Sequence, residues 1–209
     1  HLSAIMLMGM VAVLMMYIAG THPKWLLLGA LGAAAFLLVY TRLMGYAGDR
    51  VTAWRHPELD PGDTGYQILQ SLYAIGSGGL FGLGLGKSRQ KYLYLPFQYN
   101  DYIFAIACEE LGLVGAVGIM VLFALLILRG FWIARQAQTR FSTALAAGLI
   151  SLIAVQTILN LCVVTNLLPS TGIALPFFSY GGTALAVNLG EMGIVLNISR
   201  KRTIQEANT

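Results

Sequence analysis

The chain has 209 residues, of which 57% are apolar and only 11% charged, with a formal net charge of +4 and a mean hydropathy of +0.70. Ordinary soluble domains carry about 25% charged residues, so this composition excludes a soluble globular enzyme, and equally a disordered or fibrous chain, and leaves a polytopic membrane protein. Two cysteines in apolar runs, Cys108 and Cys162, and three scattered histidines, His1, His22 and His56, exclude a disulfide scaffold and a Cys-rich or His-rich metal site.

A bilayer core about 30 Å thick asks for about 20 apolar residues per spanning helix. Five segments meet this in chain order, about 2–20, 25–44, 102–129, 141–167 and 183–199, with a long loop over about 45–101. The runs are continuous rather than alternating, so they predict helices and not a transmembrane barrel. The predicted class is therefore all-α, a single membrane domain of about five transmembrane helices with a large outer loop. Orientation follows the basic residues of the short connections. Lys24, the group Arg129, Arg135 and Arg140, and the tail Arg200, Lys201 and Arg202 fall on one side, which is predicted to be cytoplasmic. The stretch 45–101 and the turn 168–182 then lie outside. The chain opens on His1 and lacks the basic start of a signal peptide, and it reads as an internal or C-terminal piece of a longer protein.

The outer loop is too long for an idle connection. It holds a turn-rich portion over 57–63. Next comes Tyr66–Ile75, whose Ile68, Leu69, Leu72 and Ile75 fall at helical spacing and suit a short helix on the membrane surface. The glycine-rich run Gly76–Gly86 ends in Gly86-Lys87-Ser88, as a nucleotide-binding loop does. That pattern needs a fifth-preceding glycine where Phe81 stands, so the nucleotide reading fails. Two readings stay open for the run: a close-packed turn, or backbone amides that hold an external phosphate together with Lys87 and Arg89.

Asp101 stands where the loop meets the third spanning segment. As a plain N-cap it would satisfy the helix start. As a carboxylate at the membrane-water boundary, near a basic loop, it could accept a proton from a hydroxyl. Glu109, Glu110 and Glu191 read as intramembrane acids, either packing polarity or a proton or ion path. Gln156 and Asn160 share one helix face and suit interhelical hydrogen bonding or a polar channel. The turn 168–182, with two prolines and three glycines, is not regular helix and is expected to wall the same site as the loop, a re-entrant connector being the plainer reading.

Several strings then match one family. They are Gly65-Tyr66-Gln67, Gly76-Ser77-Gly78-Gly79, Gly82-Leu83-Gly84-Leu85-Gly86, Tyr94-Leu95-Pro96, Asn100-Asp101-Tyr102-Ile103-Phe104, Glu109-Glu110-Leu111-Gly112 and Leu175-Pro176-Phe177-Phe178-Ser179-Tyr180-Gly181-Gly182. In this order they resemble the SEDS proteins (shape, elongation, division, sporulation), in the FtsW and SpoVE branch more than the RodA branch. The resemblance implies the C-terminal half of a ten-helix fold and polymerisation of lipid II into peptidoglycan at the outer membrane face. It implies Asp101 as the catalytic general base. Arg50, Arg55, Lys87 and Arg89 are candidates for the departing lipid pyrophosphate, and Gln67, Ser179 and Tyr180 for further substrate contacts. It implies a divalent cation (Mg or Mn) with no ligand assigned, no organic cofactor, and a class B penicillin-binding protein and other division proteins as partners, with no nucleic acid. A lipid II flippase and a non-catalytic scaffold for the penicillin-binding protein are the competing readings.

Overall fold

The computed structural model describes residues 2–44, 46–59, 64–90 and 100–206. Among the described residues, seven α-helices and one short 3-10 turn have described bounds, and no strand occurs. In chain order they are α1 (Leu2–Ile18), α2 (Pro23–Met44), α3 (Tyr46–Arg55), the 3-10 turn Pro57–Leu59, α4 (Thr64–Ser77), α5 (Ile103–Arg135), α6 (Arg140–Val164) and α7 (Gly182–Glu206). The all-α class read from composition is the class observed. Among the described helices, α5 and α6 are both long and apolar enough to cross a membrane, and α1 is apolar but shorter.

The core is built on α5 and α6, the most extensively packed pair. Small residues let the two backbones approach, as helix pairs in lipid require. A Cβ on Gly130 would overlap the side chain of Ile150, and Ala134, Ala146 and Ala147 form one buried cluster that Ile198 of α7 covers. Thr139 caps α6, its hydroxyl accepting from the Ser142 amide at 3.1 Å. Toward the other end of α5, Tyr102, Phe104, Ala105, Cys108, Ala116 and Phe123 pack with Ala74, Val164 and Leu175. The opposite stripe of α5, including Leu113, Val117, Leu122, Leu125 and Leu128, is exposed. So large an exposed apolar stripe suits a lipid-facing surface.

Three local expectations change. Arg129 does not begin a loop: it lies within α5, with its guanidinium 4.0 Å from the ring centroid of Trp132. A long cationic side chain stacks on an aromatic ring without ending the helix. The helix near 66–75 forms as α4, but it is not laid on an open surface. Its Gly65, Ile68, Ser71 and Ala74 face is buried against the protein, and the Ser71 hydroxyl donates to the Val164 carbonyl at 2.9 Å. The small residues Gly65, Ser71 and Ala74 join Ile68 at every third position in a protein-facing stripe, which a count of large apolar residues alone does not show. Finally, α5 is broken at Gly112, where φ is 68° and ψ −169°. The 23 residues from Leu113 to Arg135 rise about 34 Å by themselves, enough for a bilayer core. Glu109 and Glu110 sit on the short half-helix before the break.

Candidate active site at the head of the fifth helix

Asp101 is held from behind through its backbone. The Asn160 side-chain amide of α6 donates to the Asp101 carbonyl at 2.7 Å and to the Ile173 carbonyl at 2.8 Å. One buried amide thereby ties the head of α5 to the turn that follows α6. The same turn is fastened on both sides of Asp101. Ser179 Oγ donates to the Asn100 carbonyl at 2.6 Å and accepts from the Leu175 amide at 2.7 Å, and the Tyr102 hydroxyl donates to Ser170 Oγ at 3.4 Å. Trp54 of α3 donates its indole N–H to the Asn166 carbonyl at 3.0 Å, and Ser3 of α1 donates to the Thr171 carbonyl. Three residues of the turn, Asn166, Gly172 and Phe177, have positive φ. Strained non-glycine backbone of this kind persists where the surroundings over-determine it, and here hydrogen bonds reach it from α1, α3, α6 and the head of α5.

The carboxylate itself is left available. Helix α5 begins at Ile103 with Tyr102 in the capping position and no side-chain cap, so Asp101 is not the N-cap. Among the described residues none donates a hydrogen bond to its carboxylate, which lies against Gly172, where a Cβ would come within 3.5 Å of Oδ2. Burial pushes the Asp101 carboxyl above the usual carboxylate range. A half-buried acid with a raised pKa and a free face is chemically suited to take a proton from a hydroxyl.

The glycine run is the close-packed turn of the first reading, with positive φ at Gly79, Gly82, Gly84 and Gly86 and no room for a Cβ at Gly78 or Gly82. The break at Gly112 frees backbone groups of α5, and the run pairs with them. Leu83 and Gly84 donate to the carbonyls of Glu109 and Glu110, each at 3.0 Å, and the amides of Leu113 and Val114 donate to Gly79 and Leu80 at 2.9 and 3.2 Å. The Gly82 and Lys87 amides are engaged within the run, on the Gly78 and Gly84 carbonyls. The Gly82, Leu83, Gly84 and Lys87 amides are therefore committed to protein, which removes these four from any phosphate cradle. Buried backbone demands partners, and this segment supplies them at the interruption.

Glu109 is the second buried acid of interest, at 1% exposure. Its carboxylate accepts from Ser88 Oγ, from the Arg89 amide at 3.0 Å and from the Gln90 amide at 3.4 Å. A carboxylate engaged in this way fits the reading of Glu109 as packing polarity. Glu110 and Glu191 each keep one buried carboxyl oxygen without a partner among the described residues.

The candidate residues named from sequence are distributed as follows. Asp101 and Ser179 share the clamp around Asn100–Tyr102, Ser179 through bonds to main chain. Tyr180, 83% exposed, stands at the end of the same turn. Gln67 is half-buried on α4, and Arg55 is exposed at the end of α3. Arg50 is on α3, and its side chain lies outside those described. Lys87 and Arg89 are exposed beside the Glu109 anchor, and neither pairs with a carboxylate among the described residues. Residues 91–99, with Lys91 and the Tyr94-Leu95-Pro96 string, lie outside the described residues. Sequence reasoning missed Trp54, Ser170 and Thr171. Only the indole of Trp54, set in a polar stretch, gave any signal. No group of three or more His, Cys, Asp or Glu side chains gathers among the described residues.

Asn160→Leu is expected to destabilise this clamp. Leucine keeps the size but leaves the Asp101 and Ile173 carbonyls unmet, each costing about 1–3 kcal/mol when buried. Thermal unfolding of the full-length protein in detergent checks it: a midpoint equal to native would refute the clamp.

An all-helical membrane-type fold with a carboxylate at the head of a broken helix now stands beside the comparisons. The family model described as "Cell cycle protein" (FtsW, RodA, SpoVE) matches residues 1–204, and the chain belongs to this family. Within it, the chain is 45% identical over 202 residues to the "Probable peptidoglycan glycosyltransferase FtsW" of Geobacter sulfurreducens, covering 96% of this chain and 54% of that protein. It is 46% identical over 190 residues to the Stage V sporulation protein E of Bacillus subtilis, covering 90% of this chain and 51% of that protein. A chain from a structure titled "Structural coordination of polymerization and crosslinking by a peptidoglycan synthase complex" superposes with a TM-score of 0.78 at 29% identity, over 97% of this chain and 56% of that one. The chain thus spans about half the length of the curated relatives it matches.

Proposed function

We propose that this chain acts within a peptidoglycan glycosyltransferase that polymerises lipid II at the outer face of the bacterial cytoplasmic membrane, in division or sporulation. The observation that carries the reading is Asp101: its backbone is pinned by Asn160 while its carboxylate stays free of donors among the described residues. Family membership and the names of the FtsW relatives support the reaction class. In the reaction, Asp101 accepts the proton of the acceptor sugar 4-hydroxyl. That oxygen forms the new bond to the anomeric carbon of the donor with inversion. The bond from that carbon to the lipid pyrophosphate breaks, and the pyrophosphate leaves with the electron pair. Cationic side chains stabilise the charge that grows on it, and Arg50, Arg55, Lys87 and Arg89 are the candidates, with Gln67 and Tyr180 as further substrate contacts.

The membrane arrangement belongs to the same proposal: five spanning helices, a cytoplasmic C-terminus, and the stretch 45–101 with the turn 168–182 outside. A polyprenyl tail then stays in lipid while its head group meets the head of α5. The partner is a class B penicillin-binding protein that cross-links the product, in line with the coupled polymerisation and crosslinking named for the structural neighbour.

The test uses the full-length protein with its penicillin-binding partner in liposomes that contain lipid II. Glycan ladders on a gel are the expected result. Lipid II moved across the bilayer with no polymer would replace the enzyme with a flippase. Partner binding with neither activity would leave a scaffold.

A further inference from the structure

We propose that Glu109 is a positioning residue that fixes the cationic segment Lys87–Gln90 to the same rigid helix that carries Asp101, so that Lys87 and Arg89 meet the diphosphate of the lipid-linked substrate. The inference rests on the glycosyltransferase reading above and names residues that would serve its leaving group.

Three observations carry it. First, the Glu109 carboxylate is buried and all its described partners come from one short segment: the Ser88 hydroxyl and the Arg89 and Gln90 amides. Hydrogen bonds to a carboxylate are stronger than neutral ones, and three of them at one buried acid fix the segment 88–90. Second, Ser88 is itself buried while Lys87 and Arg89 on either side are exposed. The anchor therefore turns the neutral residue inward and the two cations outward. Third, the glycine run that precedes them is locked across the Gly112 break by four backbone bonds, two to Glu109 and Glu110 on the half-helix that carries the anchor and two to Leu113 and Val114 just beyond it. Glu109 lies six residues past Ile103, about 9 Å along the helix axis. Asp101 and the two cations thus belong to one body. A base and a cation pair held in fixed relation lower the reorganisation needed when charge develops.

Nothing in this arrangement makes Glu109 touch substrate. Its effect runs through the backbone of residues 88–90, which gives two separate readouts. The variants are Glu109→Gln and Ser88→Ala in the full-length protein with its partner. Glutamine sets an amide N–H₂ against the N–H donors of Arg89 and Gln90. The alanine removes only the hydroxyl and is the milder change. Trypsin cleavage after Lys87 and Arg89 in detergent reads the anchor, and steady-state polymerisation of lipid II reads its use.

The expected result is cleavage at least 5-fold faster in Glu109→Gln and less so in Ser88→Ala, KM for lipid II raised about 10-fold, and kcat within about 3-fold of native. Native cleavage rates in both variants would overturn the anchor. Faster cleavage with an unchanged KM would overturn the role toward substrate. If Glu109→Gln does not fold, Ser88→Ala decides on the same two readouts. Loss of the parent reading would show separately, as absence of polymer from the native protein, and cleavage would then still decide whether Glu109 anchors the segment.

Discussion

Alanine at Gly82 or at Gly112 is expected to cost the full-length protein roughly 3–5 kcal/mol and most of its yield, while alanine at Gly76 leaves stability unchanged. Gly82 has φ +76° and Gly112 φ +68°, both left-handed. Holding a non-glycine residue there costs about 1–3 kcal/mol. Space adds to this. A Cβ on Gly82 would overlap the Glu110 carbonyl and meet the Gly112 nitrogen at 2.6 Å, and a Cβ on Gly112 would overlap the Gly82 nitrogen and meet the Leu80 carbonyl oxygen at 2.6 Å. These are backbone atoms and cannot swing away. Relief would separate the run from α5 and give up paired backbone bonds worth about 1 kcal/mol each. Gly79 makes a graded control, because its φ of +55° is left-handed but a Cβ there meets nothing within 4 Å. Its alanine variant should lose only about 1 kcal/mol. Thermal midpoints for the four variants check the order, and equal midpoints would mean the run is not the partner of the broken helix.

The second large effect concerns Asp101 and has two signs. As a general base it works ionised, and burial raises its pKa above the ordinary carboxylate value near 4. The polymerisation rate should therefore fall as pH drops through that raised value, with an acid limb at higher pH than an exposed aspartate would give. Asp101→Asn should remove this limb together with about 10²-fold or more of the rate, the range of general acid–base catalysis. Stability moves the other way. A carboxyl whose folded pKa is raised contributes stability at pH below its unfolded value, and that contribution is lost as pH rises through the folded value. At neutral pH the ionised, partly desolvated carboxylate therefore weighs against folding, and Asp101→Asn should melt no lower than native, and higher if the amide is tolerated. The gap should narrow as pH falls toward the ordinary carboxylate range. A variant that is less active and more stable is what an acid placed for function predicts. Activity profiles and melting curves over the same pH series check both signs.

The helical class was legible because composition and continuous apolar runs are properties of short windows. The family was legible from strings such as Asn100-Asp101-Tyr102 and Glu109-Glu110-Leu111-Gly112. What stayed hidden depends on pairs far apart in the chain. The run Gly76–Gly86 was either a close turn or an anion loop until its partner was known, and that partner is the backbone of Glu109–Val114. In hindsight Gly112 gave a faint signal, an isolated glycine within an apolar helix, which lowers confidence in an unbroken helix. Glu109 read as an intramembrane acid because the helix was taken as continuous from 102. The break at Gly112 separates the acid from the long apolar stretch after it, and the carboxylate binds the loop segment 88–90. Asp101 could not be separated from an N-cap by sequence, because that decision turns on one residue of helix boundary. The structure puts Tyr102 in the cap and leaves the aspartate outside it. Asn160 was placed on a polar face, but its two acceptors are main-chain carbonyls, Asp101 and Ile173, which no side-chain pattern announces.

The most direct test of the account is a time course of lipid II polymerisation by the full-length protein with its penicillin-binding partner, native against Asp101→Asn, after both are matched for folding and for complex formation. The account predicts glycan chains from the native complex and none above background from the variant. Normal polymerisation by Asp101→Asn would contradict it, and would remove Asp101 as the base.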